Sequence, residues 1–302
     1  MMQTTVKHSV SVRGIGLHTG KPITMTFQPA EAESGIVFVR SDLPTAQGEI
    51  PALFDYVIDT QLCTVIGNEF GARVGTIEHV MSALRAMGVD NLRIEIDGPE
   101  VPIMDGSAMP FVEMIESAGV ESLSMPRKMI KVLREVRFEE GGRSVSLKPA
   151  DHAVFAGEIE FPHPAIGRQT FSTALLNGNF VHDIATARTF GFMKDVEMMR
   201  ANGLALGGSL ENAIVLNDTS VLNAEGLRYA DEFIRHKLLD AIGDLYLAGG
   251  QILGAYDSYK AGHYTNNMLL RALFADERNY MIVSAVPQLS AVSSSGVSLS
   301  AQ

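Results

Sequence analysis

With 302 residues, 46% of them apolar and 20% charged, the chain is long enough to bury more than one core, and two domains of roughly 100–200 residues are expected. A net charge of −11 argues against a bulk nucleic-acid partner, which needs a basic surface to displace counterions from phosphates, yet leaves room for one small anion held by local Lys and Arg. A single Cys63 excludes an internal disulfide, no run of about 18 uninterrupted apolar residues could span a bilayer, and residues 1–8 lack the apolar core of a secretory signal, so a cytoplasmic protein is expected.

In chain order, Val6 to Val12 and Ile23 to Phe27 flank Gly14, Gly16 and Gly20 and predict a hairpin. The glycines resemble a phosphate loop, but Pro22 follows Lys21 where Ser or Thr is needed, so a plain turn is preferred. Strands are expected at 36–39 and around 62–66. Thr76 to Gly88 predicts a helix capped by Thr76, with Ile77, Val80, Met81, Leu84 and Met87 buried and Gly88 ending it. A strand at 92–96 and a helix at 108–118 follow.

The polar, Pro-containing stretch 122–128 reads as a break, giving an N-terminal domain at 1–125 and a C-terminal domain at 126–283. Strands are expected at 129–132, 136–139, 144–147 and 154–161, then a mixed stretch to 230, a helix at 231–245, a strand at 251–257 and a helix from about 266 to 275. The Ser-rich tail, 284–302, reads as flexible. His79 lies nine residues before Gly88 and Asp240 nine before Gly249, a weak echo between the halves. The expected fold class is therefore α+β: two similar domains, each a sheet layered with helices, with polar groups of equivalent helices meeting between them.

The 231–245 helix carries Phe233, Leu238, Ile242 and Leu245 on one face, while His236, Asp240 and Asp244, four apart, stack on another. Alone, such a stripe reads most simply as a solvated surface. Glu78-His79 alters that balance: at a helix start the dipole favours an ionised carboxylate, and adjacent residues diverge by roughly 100°, so one can bind a metal while its neighbour reaches a ligand of that metal. His79, His236 and Asp240 would form a two-His, one-carboxylate set with a position left for water, as catalytic zinc requires; Fe²⁺ would also accept it. Glu78 could then take the water's proton. His263 could replace Asp240 as a ligand, and spacing cannot choose; the preferred role is a general acid held as imidazolium by Asp244. Cys63 reads as inert packing, Gly207-Gly208-Ser209 lacks a nucleophile elbow, and His8, His152, His163 and His182 read as structural.

The runs Gly14-Ile15-Gly16-Leu17-His18-Thr19-Gly20, Thr76-Ile77-Glu78-His79, Val101-Pro102-Ile103-Met104-Asp105-Gly106-Ser107-Ala108, Ala187-Arg188-Thr189-Phe190-Gly191-Phe192, Arg235 to Leu245, and Gly262-His263 with Asn266-Asn267 resemble the UDP-3-O-acyl-N-acetylglucosamine deacetylases of lipid A biosynthesis. The likeness runs in order from about residue 6 to 275. It implies zinc on His79, His236 and Asp240, Glu78 as base, and His263 with Asp244 as the acid for the departing amine. Thr189 would help stabilise the oxyanion, a role worth a few kcal/mol where such donors have been removed. Lys237 and Lys260 would meet the diphosphate and Phe161 the uracil. An insert from Phe190 to Ile214, with Phe192, Met193, Val196, Met198, Met199, Leu204 and Leu206, would line a passage for the acyl chain, and His18 would lie near the sugar or acyl linkage. Tyr264-Thr265 and Gln61 depart from the family pattern.

The expected partner is thus a UDP-linked, acylated amino sugar, met by a monomer in transient contact with the inner membrane surface. Two other readings remain: a zinc amidase acting on an unrelated acetamide, and a metal-stabilised binding protein without turnover.

Overall fold

Alternating burial builds two five-stranded sheets of the same connectivity. In Pro22–Gln28, Ile23, Met25 and Phe27 point inward while Thr24 and Thr26 face out, the period-2 pattern of a half-buried strand. The chain is seen here as a computed structural model, which describes residues 1–284. The first sheet has the order Val10–Ile15, Pro22–Gln28, Leu92–Ile96, Ile36–Arg40, Glu49–Pro51, paired antiparallel, antiparallel, parallel and antiparallel. The second runs Val136–Glu140, Arg143–Lys148, Ala255–Tyr259, Val154–Phe161, Gly167–Ala174 with the same sequence of pairings. The weak echo in the sequence is therefore a repeated α+β architecture.

A parallel pair needs a crossover, and each sheet uses a helix for it. In the first it is α1 (Glu78–Met87), in the second, further along the chain, α4 (Glu232–Tyr246). Each central strand is followed by a further helix, α2 (Met109–Ala118) and α5 (His263–Phe274). Between α2 and α4 the second half carries an insert, in which Phe190–Phe192 pairs parallel with Ile214–Leu216 around α3 (Met193–Ala201). α4 and α5 lie on the second sheet, α2 meets the first, and α1 packs directly on α4. That crossing is close because of Gly243: a Cβ there would stand 1.9 Å from the Glu78 carbonyl oxygen.

Four expectations need correction. The stretch at 122–128, read as a break, is not irregular, since Val120–Pro126 forms a strand antiparallel to Met2–Val6; it is polar because it is largely exposed, and Pro126 sits at its end, where a missing N–H is tolerated. Thr76 does not cap α1: the N-cap is Ile77 without a side-chain bond, and Thr76, at φ 57°, turns its hydroxyl to Glu100. The strand sought at 62–66 is Val65–Gly67, and α5 begins at His263, three residues earlier than its apolar period suggests. Apart from Ser284, the tail lies outside the described residues.

Candidate metal centre

The α1–α4 crossing brings donors from both halves to one point. One atom each from His79, His236 and Asp240 lie within 4.8 Å of one another, and all three residues are buried. His79 Nε2 stands 3.6 Å and His236 Nε2 3.3 Å from Asp240 Oδ1, too far for strong mutual hydrogen bonds and close enough to share a cation. His236 Nδ1 donates to the Ala187 carbonyl at 3.0 Å, which leaves Nε2 with a lone pair for a metal. Burial pushes the His236 imidazole down to about 3, so it is neutral at physiological pH, as a ligand must be. Burial opposes ionisation of Asp240, but the adjacent His236 ring and the Lys237 ammonium, 2.8 Å from Oδ2, hold its carboxyl well below the usual range. Two imidazoles and one carboxylate on two rigid helices fit a divalent cation of the zinc or iron type.

The α4 stripe is not a solvated face: of this helix only Arg235 and Lys237 escape full burial. Asp244, one turn beyond Asp240, holds His263, whose Nδ1 donates to Asp244 Oδ2 at 2.9 Å. Of the two candidates for the third place, it is Asp240 whose carboxylate lies with the donor atoms of His79 and His236. Burial works against protonation of His263, but Asp244 and Glu78 outweigh it and push the imidazole up to about 9. His263 Nε2 lies 3.8 Å from Glu78 Oε1. Burial raises the Glu78 carboxyl, while His263 and His79 work in the other direction. A proton acceptor and a proton donor thus stand side by side next to the cluster.

Two polar residues to which the sequence analysis gave no role fix this pair. Thr64 donates its backbone N–H to Glu78 Oε2 at 3.1 Å and its hydroxyl to Asp244 Oδ1 at 2.6 Å. Asn266 donates Nδ2 to Asp244 Oδ2 at 2.9 Å. A lone Thr beside Cys63 carries no periodic signal; Asn266 could have been found as a short-range polar neighbour of His263. Cys63 is buried, and burial pushes its thiol well above the ordinary range.

Around the cluster lie three cavities. Phe161, Pro162, His163, Phe192, Lys194 and Asn217 line part of one of about 560 Å³. Its rings touch: Phe161 lies 5.8 Å from Phe190 and 6.0 Å from Phe192, and His163 5.6 Å from Phe192. His163, set aside from sequence, is therefore part of this wall, anchored by Nε2 on the Asn217 carbonyl at 2.7 Å. The second, about 280 Å³ and mostly apolar, is bounded by His18, Thr189, Phe190, Val196, Met199 and Leu210 among others. Phe190 links it to the metal cluster, its ring 6.5 Å from that of His236. The insert's apolar residues divide: Met193, Val196 and Met199 face this cavity, whereas Met198 and Leu206 are exposed.

His18 also borders a third cavity of about 230 Å³ with Gln61, Leu62, Cys63 and Glu100. Its backbone N–H is held by Glu100, while neither buried ring nitrogen has a hydrogen-bond partner among the described residues. Burial lowers its pKa and Glu100 offsets part of that. The two lysines expected to meet a diphosphate are both ion-paired, Lys237 to Asp240 and Lys260 to Glu160, each at 2.8 Å.

Residues 3–275 match the family model described as UDP-3-O-acyl N-acetylglycosamine deacetylase. A UDP-3-O-acyl-N-acetylglucosamine deacetylase of Neisseria meningitidis is 51% identical over 283 residues, 93% of this chain and 92% of the relative. Proteins of the same name from Nautilia profundicola and Shewanella baltica are 51% and 49% identical, over 92% and 94% of this chain and 93% of each relative.

Proposed function

The chain belongs to the UDP-3-O-acyl-N-acetylglucosamine deacetylase family, and from that premise we propose that it is an amide hydrolase of lipid A biosynthesis, taking acetate from a UDP-linked, 3-O-acylated N-acetylglucosamine at the α1–α4 crossing. One observation carries the reading. Two histidines and a carboxylate from separate halves converge, with a buried Glu78 and a protonated His263 3.8 Å apart beside them.

His79, His236 and Asp240 would hold zinc, with Fe²⁺ as the other metal this donor set accepts. When bound, the cation supplies Lewis acidity, polarising the amide carbonyl and lowering the pKa of water. Glu78, fixed by the Thr64 N–H, takes the proton of the attacking water. The Thr189 hydroxyl, in the cavity wall beside Phe190, steadies the negative charge that develops on the carbonyl oxygen. His263, held by Asp244, delivers its Nε2 proton to the sugar nitrogen as the C–N bond breaks, giving acetate and the free amine.

The aromatic cavity of Phe161 and Phe192 suits the uracil, and the apolar cavity beside His18 and Phe190 suits the acyl chain. Lys237 and Lys260 would exchange their present carboxylate partners in part for the diphosphate. The reading includes a monomer in the cytoplasm, transient contact with the inner membrane surface, and a division at residues 1–125 and 126–283. Metal analysis by mass spectrometry on the native chain and on His79→Ala and Asp240→Ala, with a deacetylation assay, tests it. One equivalent of metal, lost in both variants, is expected. Equal turnover of a simple acetamide lacking UDP would favour a general amidase, and unchanged function in Glu78→Gln would favour a binding protein.

A further inference from the structure

We infer that Glu232 and Arg188 are positioning residues of the metal centre, acting through the single peptide group that joins Ala187 to Arg188. This rests on the metal reading of His79, His236 and Asp240. Glu232 opens the α4 stripe, one turn before His236, and is wholly buried. Its carboxylate accepts four hydrogen bonds, all from loops that come before it in the chain. Oε1 takes the Arg188 N–H at 3.0 Å and Arg188 Nε at 2.9 Å, while Oε2 takes Arg188 Nη2 at 3.3 Å and the Arg228 N–H at 2.6 Å. Arg188, 2% exposed, spends its remaining donors on Glu225 at 2.7 Å and the Gly226 carbonyl at 2.8 Å.

A trans peptide is a rigid plane whose N–H and C=O point in opposite directions. Here the Arg188 N–H is bound by Glu232, and the Ala187 C=O of the same plane accepts the Nδ1–H of His236. Glu232 and His236 are separated by one helical turn, a rise of about 5.4 Å, so the plane bridges two rungs of a single helix face. Pinning one end aims the other. The carboxylate also polarises the peptide, making its carbonyl a stronger acceptor and the His236 Nε2 a better metal donor. The residue that follows Arg188 is Thr189, whose N–H is fixed on the Gly106 carbonyl at 2.8 Å. The same clamp therefore sets the register of the loop that offers the Thr189 hydroxyl.

Divalent metal affinity, measured with Zn²⁺ by chelator competition, tests this in Glu232→Gln, which keeps the shape and an acceptor for the N–H but removes the charge. Zn²⁺ binding roughly tenfold weaker is expected, with kcat reduced and KM unchanged, while near-ultraviolet circular dichroism stays native. Arg188→Lys, which keeps the buried charge but cannot span all the acceptors, should weaken Zn²⁺ in the same sense. Affinity within about twofold of native in a folded Glu232→Gln or Arg188→Lys chain overturns the inference, as does failure of both to fold, which would make the pair a requirement of the fold alone. If the native chain takes up no Zn²⁺, the metal reading itself falls; if it does and the variants bind equally well, only the positioning role falls.

Discussion

α1 and α4 hold equivalent places in the two halves, each crossing between the parallel strands of its sheet, yet they are built on different plans. α1 confines its functional groups to the first turn, where Glu78 and His79 meet the positive end of the helix dipole, and then turns apolar through Val80, Met81 and Leu84. α4 keeps a polar rung at every turn, Glu232, His236, Asp240 and Asp244, all of them buried. On the proposed reading, the first half would contribute one proton acceptor and one metal donor at a helix tip. The second would contribute the remaining donors and their supports along a whole helix face. A repeated architecture evidently does not need repeated chemistry, because only the crossing point of the two helices has to be shared.

The largest expected effect cuts the α1 contribution. Glu78→Gln should lower kcat by about 10²–10⁴-fold while metal content by mass spectrometry stays at the native level. Equal turnover would show that the helix tip is a structural feature and that α4 carries the chemistry alone.

Next comes the far end of the α4 stripe. His263→Gln should cost about 10²-fold in kcat and remove the alkaline limb of the pH profile. The sign follows from the imidazole being pushed up to about 9: it is charged and able to donate below that pH, and activity falls as pH rises through it. The acid limb belongs to Glu78, which must be ionised, and because burial raises its carboxyl this limb should lie above the ordinary carboxylate range. An alkaline limb that survives in His263→Gln would assign the donor elsewhere.

The crossing itself is tested by Gly243→Ala. A methyl group would meet the Glu78 carbonyl oxygen at 1.9 Å, and backbone cannot step aside as a flexible side chain can. Overpacking of this kind costs about 1–3 kcal/mol, readable by urea denaturation, and metal affinity should fall with it as the helices separate. Smallest is Thr64→Val. The loss of a hydrogen bond to a carboxylate, here 2.6 Å to Asp244, should cost about 1.5 kcal/mol of stability, with metal content unchanged.

Particular elements explain how much was legible in the chain. α4 was readable because its apolar and polar residues each keep a helical period, and Glu78-His79 because a charged pair opening an apolar helix is unusual. Glu232 escaped notice although it extends the same four-residue spacing, since its partner Arg188 lies 44 positions away. Thr64 escaped for the same reason, with Asp244 180 positions distant. The strand within 120–126 was not legible because an exposed strand has the polar composition of a loop.

By itself, then, the sequence determined the main helices and most core strands, a weak sign of the doubled α+β plan and the supply of metal-capable side chains, which follow from local periodicity and turn chemistry. Tertiary structure alone decided that Asp240 and not His263 converges with His79 and His236, that the α4 stripe is buried, and that Lys237 rests on Asp240. Coordination and proton transfer depend on distances of a few ångströms between groups far apart in the chain. Those distances are set where two helices touch at Gly243, a contact that no local pattern encodes.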